Sequence, residues 1–244
     1  MKQQIWAHRG SSKKEAENTM AAFHQALADK ADGIEIDVQL TKDGQVVVIH
    51  DEFLHRLTGE QCLVHEWTYD DLSKLDAAWH RKDIQEVHHI PLLSEVLDFL
   101  METDLVLNIE LKNSTYLQPG LEDEVLKLVR ERKLEKQIVY SSFNHYSMKY
   151  MLDMDCGSDI GLLYSEMIVK PWDYAKSLGV QAIHPLFTNL QIKDFIKDAS
   201  NAGIKVHAWT IDQAEYISMA LQMNTDAIIT NVPDLAVAIR NKEN

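Results

Sequence analysis

Three acidic residues stand inside otherwise apolar segments of this sequence. Glu35 and Asp37 lie in the run Gly-Ile-Glu-Ile-Asp-Val, and Glu110 lies in Leu-Asn-Ile-Glu-Leu. Residues two apart in a β-strand point to the same side of it. Burying several carboxylates together is costly unless a cation compensates them, and hard oxygen ligands suit Mg²⁺ or Ca²⁺ better than a thiolate-seeking metal. The alternative is that these acids point outward and pair with Lys or Arg on surrounding helices.

Two histidines accompany these acids at the ends of predicted strands. His8 begins the tripeptide His-Arg-Gly, which joins a proton carrier, a fixed cation and a residue that permits close backbone approach. His50 ends a short apolar run. One of the two could act as general base and the other as general acid, and the order of these roles stays open at this point.

The other candidate residues are two cations and several strand-end rings. Arg9 and Lys112 suit a phosphate or a carboxylate, the arginine by its bidentate fork and the lysine as a point charge. Phe143 and Trp209 either line a pocket wall or serve only as packing. His184 also comes at a predicted strand end.

The elements that must position these residues alternate regularly along the chain. Eight short runs, mostly without strict alternation, are typical of strands buried on both faces of a parallel sheet: 5–8, 34–40, 105–111, 138–141, 160–164, 181–185, 204–209 and 227–230. Helical stretches follow them at 18–30, 95–101 with Ser94 as N-cap, 120–133, 144–154, 172–178, 191–202, 213–222 and 233–242. Eight such pairs predict an α/β fold, a (β/α)₈ TIM barrel, whose active site lies at the carboxyl ends of the strands. An open doubly wound sheet is the alternative.

One segment interrupts this alternation. After the second strand, a turn at 42–44 leads into the run 46–50, and about 40 residues without a clear period follow. We interpret residues 51–89 as a small insertion over the barrel end where the βα loops gather. The prediction is therefore one domain over residues 1–244 that carries this insertion.

Charge and composition exclude several classes of partner. The 244 residues contain 24 Lys and Arg against 38 Asp and Glu, a net charge of −14, which argues against nucleic acid and anionic lipid surfaces. No apolar stretch approaches the roughly 18 residues that span a bilayer, and the first ten residues do not have the form of a secretory signal. We expect a cytoplasmic protein without a membrane anchor, a monomer or homodimer, acting on a small molecule.

The ordered set of motifs closely resembles the glycerophosphodiester phosphodiesterase family. The resemblance spans nearly the whole chain in the family's order, and it rests on the segments His8-Arg9-Gly10, Glu17-Asn18-Thr19, Gly33 to Val38, Val48 to Asp51, Ile109 to Lys112, Ser142-Phe143-Asn144, Trp209-Thr210 and Asp226 to Asn231. After His50-Asp51, where the family often has Arg-Thr-Thr, this chain has Arg56-Leu57-Thr58.

The resemblance implies a TIM barrel with a small insertion, and it implies roles for individual residues. Glu35, Asp37 and Glu110 would bind one divalent cation (Mg²⁺ or Ca²⁺, with Mn²⁺ possible), His8 and His50 would be the catalytic acid–base pair, and Arg9 and Lys112 would hold the phosphate, with Phe143 and Trp209 beside the substrate.

The implied reaction is metal-dependent hydrolysis of glycerophosphodiesters, such as glycerophosphocholine and glycerophosphoethanolamine, to sn-glycerol 3-phosphate and an alcohol, through a cyclic phosphate. Three alternatives stay open at this point. One is a lysophospholipase D-like diesterase, another is a sugar-phosphate isomerase or lyase, and the third is a silent barrel that only binds such diesters.

Overall fold

The fold is built on nine strands that alternate with helices, and the computed structural model describes residues 3–243. The strands are β1 Gln4–His8, β2 Gly33–Leu40, β3 Val46–Val48, β4 Val106–Leu111, β5 Ile138–Ser142, β6 Asp159–Tyr164, β7 Ala182–Pro185, β8 Lys205–Ala208 and β9 Ala227–Thr230. Each of the eight predicted strands is present, and no bound differs from the predicted one by more than one residue.

Eight of these strands close into a parallel barrel. They follow the order β1-β9-β8-β7-β6-β5-β4-β2, and β1 pairs with β2 to complete the ring, while β3 lies antiparallel against β2 outside it. Their apolar residues are buried on both faces, as the near-continuous runs of β-branched and apolar residues predict. The (β/α)₈ TIM barrel is confirmed, and the open doubly wound sheet is wrong.

Helices surround the barrel and are packed against it by one apolar face. They are α1 Met20–Ala28, α2 His55–Thr58, α3 Tyr69–Leu72, α4 Leu93–Leu100, α5 Leu121–Arg132, α6 His145–Asp153, α7 Pro171–Leu178, α8 Phe195–Asn201, α9 Ala214–Gln222 and α10 Pro233–Glu243. The prediction of Ser94 as an N-cap is wrong, because α4 already begins at Leu93. Its first turn is closed instead by the Glu95 carboxylate, which accepts a hydrogen bond from the Leu92 N–H at 2.7 Å.

The segment between β3 and α4 holds the predicted insertion at 51–89. It contains α2, α3 and a short 3₁₀ helix at Val64–Glu66. Its apolar side chains form a small cluster of their own with Val47 and Ile49, including Leu54, Leu57, Val64 and Leu72. The insertion is therefore an ordered part of this barrel end. One domain over 1–244 stays a prediction, since residues 1, 2 and 244 lie outside the described residues.

Strand register determines which polar residues meet at the carboxyl end of the barrel. His8 of β1 is directly beside Glu35 of β2, and Asp37 of β2 is beside Glu110 of β4. These residues are contributed by three neighbouring strands, so their side chains converge on one edge of the barrel mouth.

The barrel interior contains a pair of buried histidines below that mouth. The Nδ1 atom of His207 on β8 is 2.8 Å from the Nε2 atom of His184 on β7, and the His207 ring lies 4.5 Å from that of Trp6. Burial and the charge of Lys205 lower the pKa of His207 to about 3, and burial followed by His207 lowers the pKa of His184. Both rings are therefore neutral in the folded protein near pH 7.

We expect this pair to make the fold sensitive to mild acid. The unfolded chain has ordinary histidines that bind protons near pH 6.5, whereas His207 in the folded state does not, so stability falls as the pH drops from 6.5 towards 3. The contribution of His207 is about 1.4 kcal/mol per pH unit. In urea unfolding between about pH 6.5 and 5, His207→Gln should show a shallower decline than the wild type. Equal slopes for the two proteins would contradict the prediction.

Candidate active site

Two cavities lie at opposite ends of the barrel. The larger, about 490 Å³, opens at the amino ends of the strands, among Gln4, Trp6, Lys136 and Asp226. The smaller, about 50 Å³, is at the carboxyl ends, and its walls are His8, Arg9, Glu35, His50, Asn108, Glu110, Lys112, Phe143, Leu163, Trp209 and Ile229. We place the candidate site in the smaller cavity, because titratable residues from several strands converge there.

The three predicted acids form a compact cluster at this end. One carboxylate oxygen from each of Glu35, Asp37 and Glu110 lies within 4.8 Å of the others. All three side chains are buried or nearly so. Within residues 3–243, the Oε1 atom of Glu35 and the Oδ1 atom of Asp37 are buried without a hydrogen-bond partner. Such oxygens are costly to bury unless a cation completes their coordination, so the donor set fits a hard divalent metal.

Burial and mutual repulsion change the pKa values of the carboxyls in this cluster. Burial, reinforced by the charges of Asp37 and Glu110, raises the pKa of Glu35 well above its ordinary value. Burial also raises the pKa of Glu110, although Lys112 opposes that effect. Burial alone would raise the pKa of Asp37, but the charges of Arg9 and Lys112 hold it well below its usual range. A divalent cation would favour the ionised form of Glu35 and Glu110 and so oppose their raised pKa values.

The two predicted cations flank the acids. The Nζ atom of Lys112 lies 2.8 Å from Glu110 Oε1 and 3.7 Å from Asp37 Oδ1. Arg9 lies with Nε 3.3 Å from Asp37 Oδ2 and donates from Nη1 to Glu17 Oε1 at 2.8 Å. Both cations therefore stand beside the carboxylates at the wall of the cavity, where they also face an incoming anion.

The tight turn after β1 brings Arg9 into this position. Arg9 itself has φ 55°, and its backbone N–H donates to Glu35 Oε2 at 3.0 Å. Gly10 has φ 80°, and a Cβ there would lie 2.6 Å from the Cβ of Ala22 on α1. Only glycine permits both this conformation and this close approach.

His8 is oriented by an amide from the far end of the chain. Its Nδ1 atom is 2.8 Å from the Oδ1 atom of Asn231, whose Nδ2 donates to Asp212 Oδ2 at 2.7 Å. Because the amide nitrogen is committed to Asp212, the amide oxygen accepts from the Nδ1–H of His8. The free Nε2 of His8 then lies 3.9 Å from Glu35 Oε2. Burial and the adjacent Arg9 lower the pKa of His8 to about 4, so this ring is neutral near pH 7.

His50 is oriented by a carboxylate instead. Its Nδ1 atom is 2.7 Å from the Oδ1 atom of Asp51. Burial alone would raise the pKa of Asp51, but hydrogen bonds from His50 and Arg56 lower it well below its usual range. Since the carboxylate is ionised, it accepts from Nδ1–H and leaves the Nε2 atom of His50 for the cavity.

Comparison with known proteins shows the family to which the chain belongs. The sequence pattern of the glycerophosphoryl diester phosphodiesterase family matches residues 8–235. A glycerophosphodiester phosphodiesterase of Caldanaerobacter subterraneus subsp. tengcongensis is 38% identical over 242 residues, which cover 99% of each chain.

The chain belongs to this family. It is an enzyme, a phosphoric diester hydrolase, as the resemblance predicts.

Solved structures of related proteins share the fold. A putative glycerophosphoryl diester phosphodiesterase of Silicibacter pomeroyi superposes with a TM-score of 0.90 at 24% identity, covering 99% of this chain and 94% of its own. A phosphodiesterase of Oleispira antarctica, solved in complex with the product sn-glycerol-3-phosphate, has a TM-score of 0.85 at 27% identity and covers 98% of this chain and 96% of its own. The barrel of this phosphodiesterase is thus the fold of its relatives.

The remaining predicted residues divide between the cavity and other places. Phe143 and Trp209 both line the cavity, with ring centroids 5.6 Å apart in an edge-to-face arrangement. They add an apolar surface to a cavity that is otherwise lined largely by charged and polar residues. His184 is inside the barrel and does not line this cavity, so its position at a strand end does not place it in the site.

Several polar residues at the site have no role in the sequence-based prediction. Asn18 donates from Nδ2 to Asp37 Oδ2 at 2.9 Å, and Asn108 lines the cavity with a buried Oδ1 atom. Asp51 and Asn231 orient the two histidines. Asp51 directly follows His50, and Asn18 and Asn231 fall in segments that resemble the family, but no spacing in the sequence pairs these two asparagines with Asp37 and His8. Asn231 is 223 residues away from His8.

Among residues 3–243, none of the helices has the length and apolar character needed to cross a bilayer.

Proposed function

We propose that this enzyme hydrolyses glycerophosphodiesters, such as glycerophosphocholine and glycerophosphoethanolamine, to sn-glycerol 3-phosphate and the free alcohol. The observation that carries the proposal is the meeting of His8, His50 and the carboxylates of Glu35 and Glu110 in one small cavity. A phosphodiester needs its negative charge neutralised and needs a proton acceptor and a proton donor on either side of phosphorus. The residues of this cavity supply these groups.

Glu35, Asp37 and Glu110 are the residues that would hold a divalent cation. When bound, the cation supplies charge neutralisation at a non-bridging oxygen of the phosphate. Arg9 and Lys112 supply the remaining positive charge, and the fork of Arg9 fits two phosphate oxygens. We propose Mg²⁺ or Ca²⁺, because all three donors are carboxylate oxygens.

We propose distinct starting roles for the two histidines. His8 is held by the neutral amide of Asn231, which does little to stabilise an imidazolium, so His8 starts as the base with a free Nε2 lone pair. His50 is held by the carboxylate of Asp51, which stabilises an imidazolium, so His50 starts as the acid.

The reaction then takes two steps with balanced proton transfers. The glycerol hydroxyl next to the diester attacks phosphorus and gives its proton to His8, while His50 protonates the oxygen of the departing alcohol. This forms a cyclic phosphate, favoured because the nucleophile is part of the substrate. Water then attacks phosphorus and gives its proton to His50, and His8 returns its proton to the released glycerol oxygen.

Detection of sn-glycerol 3-phosphate tests the proposal. The purified enzyme is incubated with glycerophosphocholine or glycerophosphoethanolamine, before and after EDTA, with single metals restored. Metal-restored release is expected. A substrate analogue without the neighbouring hydroxyl should bind but not react, and turnover of that analogue would contradict the cyclic phosphate. Formation of lysophosphatidic acid and the free alcohol from lysolipids, with no sn-glycerol 3-phosphate from either glycerophosphodiester, would assign the enzyme to the lysophospholipase D-like class instead.

A further inference from the structure

An arginine of the insertion binds two carboxylates outside the cavity, and these carboxylates belong to different segments of the chain. Arg56 on α2 donates from Nη1 and Nη2 to both carboxylate oxygens of Glu17, at 3.0 and 2.8 Å. It also donates from Nε and Nη2 to both oxygens of Asp51, at 2.7 and 3.0 Å. One guanidinium group thus makes a bidentate contact with each of two carboxylates.

Each of these carboxylates orients a residue of the cavity. Glu17 accepts from Nη1 of Arg9 at 2.8 Å, and Asp51 accepts from Nδ1 of His50 at 2.7 Å. Glu17 precedes α1, while Asp51 follows β3. The segments that carry the phosphate-binding cation and the proton donor are therefore linked through a single side chain, which touches neither the substrate cavity nor the three clustered acids.

Isolated ion pairs at a protein surface contribute little, and Arg56 is 46% exposed. This contact differs in two respects. Both acceptors are largely buried, with exposed side-chain fractions of 14% for Glu17 and 19% for Asp51. A planar fork also fixes direction, which a lysine ammonium group in its place would not do.

The second arginine of the insertion serves a separate purpose. Arg81 donates to the backbone carbonyls of Ser12, Glu15 and Lys14, and thereby holds the loop after β1 as a whole. The carboxylate with which Arg81 pairs is Asp83, at 2.7 Å. Loop anchoring and alignment of the reacting groups are therefore assigned to different arginines.

We propose that Arg56 is a positioning residue of this active site, which aligns Arg9 through Glu17 and His50 through Asp51. This inference rests on the proposed diesterase function for its kinetic consequences, whereas the orientation of His50 can be measured without turnover. It gives the insertion a role in catalysis through α2.

The kinetic test uses Arg56→Met, which keeps the length of the side chain and removes its donors. We expect kcat to fall on the order of a hundredfold, as for a reacting group displaced by about 1 Å, and KM to rise because Arg9 is no longer held. Arg56→Lys restores the charge without the fork and should recover only part of kcat. Arg132→Met is the matched control, because Arg132 pairs with Asp98 on the outer helices, and it should keep both constants. Wild-type kinetics in R56M would overturn the proposal.

A double variant separates the two contacts of Arg56. We call the contact that reaches Arg9 through Glu17 the Arg9 branch, and the contact that reaches His50 through Asp51 the His50 branch. In a Glu17→Ala background both acceptor oxygens are removed and the Arg9 branch is broken, so adding Arg56→Met should leave KM unchanged and still lower kcat. Equal, additive effects of R56M on KM in both backgrounds would overturn the assignment of the Arg9 branch to Glu17.

The orientation of His50 is tested by ¹⁵N NMR of histidine-labelled enzyme, with His50→Ala to assign the signal among the 11 histidines. At a pH high enough for the ring to be neutral, the wild type should show His50 with its proton on Nδ1, where Asp51 accepts it, and R56M should show a mixture of the two tautomers. An unchanged tautomer in R56M would overturn the His50 branch. If the wild type releases no sn-glycerol 3-phosphate, the proposed function fails, but the NMR result still decides whether Arg56 positions His50.

Discussion

Replacement of His50 by alanine is expected to lower kcat for release of sn-glycerol 3-phosphate by about 10²–10⁴-fold, and replacement of His8 to do the same. The reason is that each ring presents Nε2 to the cavity while its Nδ1 is committed to a fixed acceptor, Asn231 for His8 and Asp51 for His50. Initial rates with glycerophosphocholine, together with thermal unfolding of each variant, measure this effect with the fold monitored.

A substrate with a better leaving group identifies which histidine acts as the acid. In a diester whose alcohol is p-nitrophenol, the p-nitrophenolate can depart without being protonated. The loss of kcat in His50→Ala should therefore be much smaller with that substrate. The defect of His8→Ala should persist, because the attacking hydroxyl still has to lose its proton. The reverse pattern would exchange the two roles, and equal defects on both substrates would remove the distinction between them.

A matched control comes from the insertion. His65 is exposed there, with its ring 5.4 Å from that of Tyr116, and its side chain does not line the cavity. His65→Ala should therefore keep kcat and KM. A large loss in H65A would mean that the insertion contributes to the chemistry by more than the positioning assigned to Arg56.

The residues predicted from the sequence are those with a local signal. Glu35, Asp37 and Glu110 stand out because several carboxylates in apolar strands are costly to bury together without a cation, and the alternation of strands and helices brings them to one end of a barrel. The structure brings the nine residues with an implied role together at that end, while His184 lies elsewhere: eight of the nine line the cavity, and a carboxylate oxygen of Asp37 lies within 4.8 Å of oxygens of Glu35 and Glu110. Their chemical roles remain proposals.

The orienting roles of other residues could not be predicted from the sequence, for physical reasons. Asn231 reaches His8 only because β9 pairs with β1 when the barrel closes. Arg56 lies in a four-residue helix within a segment that has no hydrophobic period, so its position could not be read from periodicity. The start of α4 was misplaced because Glu95 closes the first turn from inside the helix, which serves the same purpose as the predicted Ser94 cap.

Removal of the metal is expected to abolish turnover and to change stability in a direction that identifies the ligands. In the metal-free protein, Glu35 has a raised pKa because it is buried beside Asp37 and Glu110. A group with a folded pKa above its unfolded value stabilises the fold at low pH, and this contribution is lost as the pH rises through the folded pKa. The metal-free enzyme should therefore lose stability as the pH rises through the raised pKa of Glu35, and a bound divalent cation should restore that stability.

The size of the restoration can be bounded. A cation at a hundred times its Kd stabilises the folded state by about 2.7 kcal/mol, which for a chain of this length raises Tm by about 5–10 °C. Because protons compete with the cation for Glu35, the shift in Tm should grow as the pH rises. Thermal unfolding with and without Mg²⁺, Ca²⁺ or Mn²⁺ at several pH values measures this, and a shift that shrinks with pH would contradict the assignment of Glu35 as a ligand.

Glu35→Gln separates a ligand from a carboxylate that is merely buried. The amide removes one negative charge from a cluster whose oxygens all lie within 4.8 Å, so the metal-free variant should be as stable as the wild type or more so, because repulsion with Asp37 and Glu110 is relieved. The same change should weaken metal binding, reduce the Tm shift and lower the metal-restored rate. Glu102→Gln, at an exposed position, is the control and should keep all three. Stability without metal and function with it are thus opposed at Glu35, which is the behaviour of a residue retained for its ligand rather than for the fold.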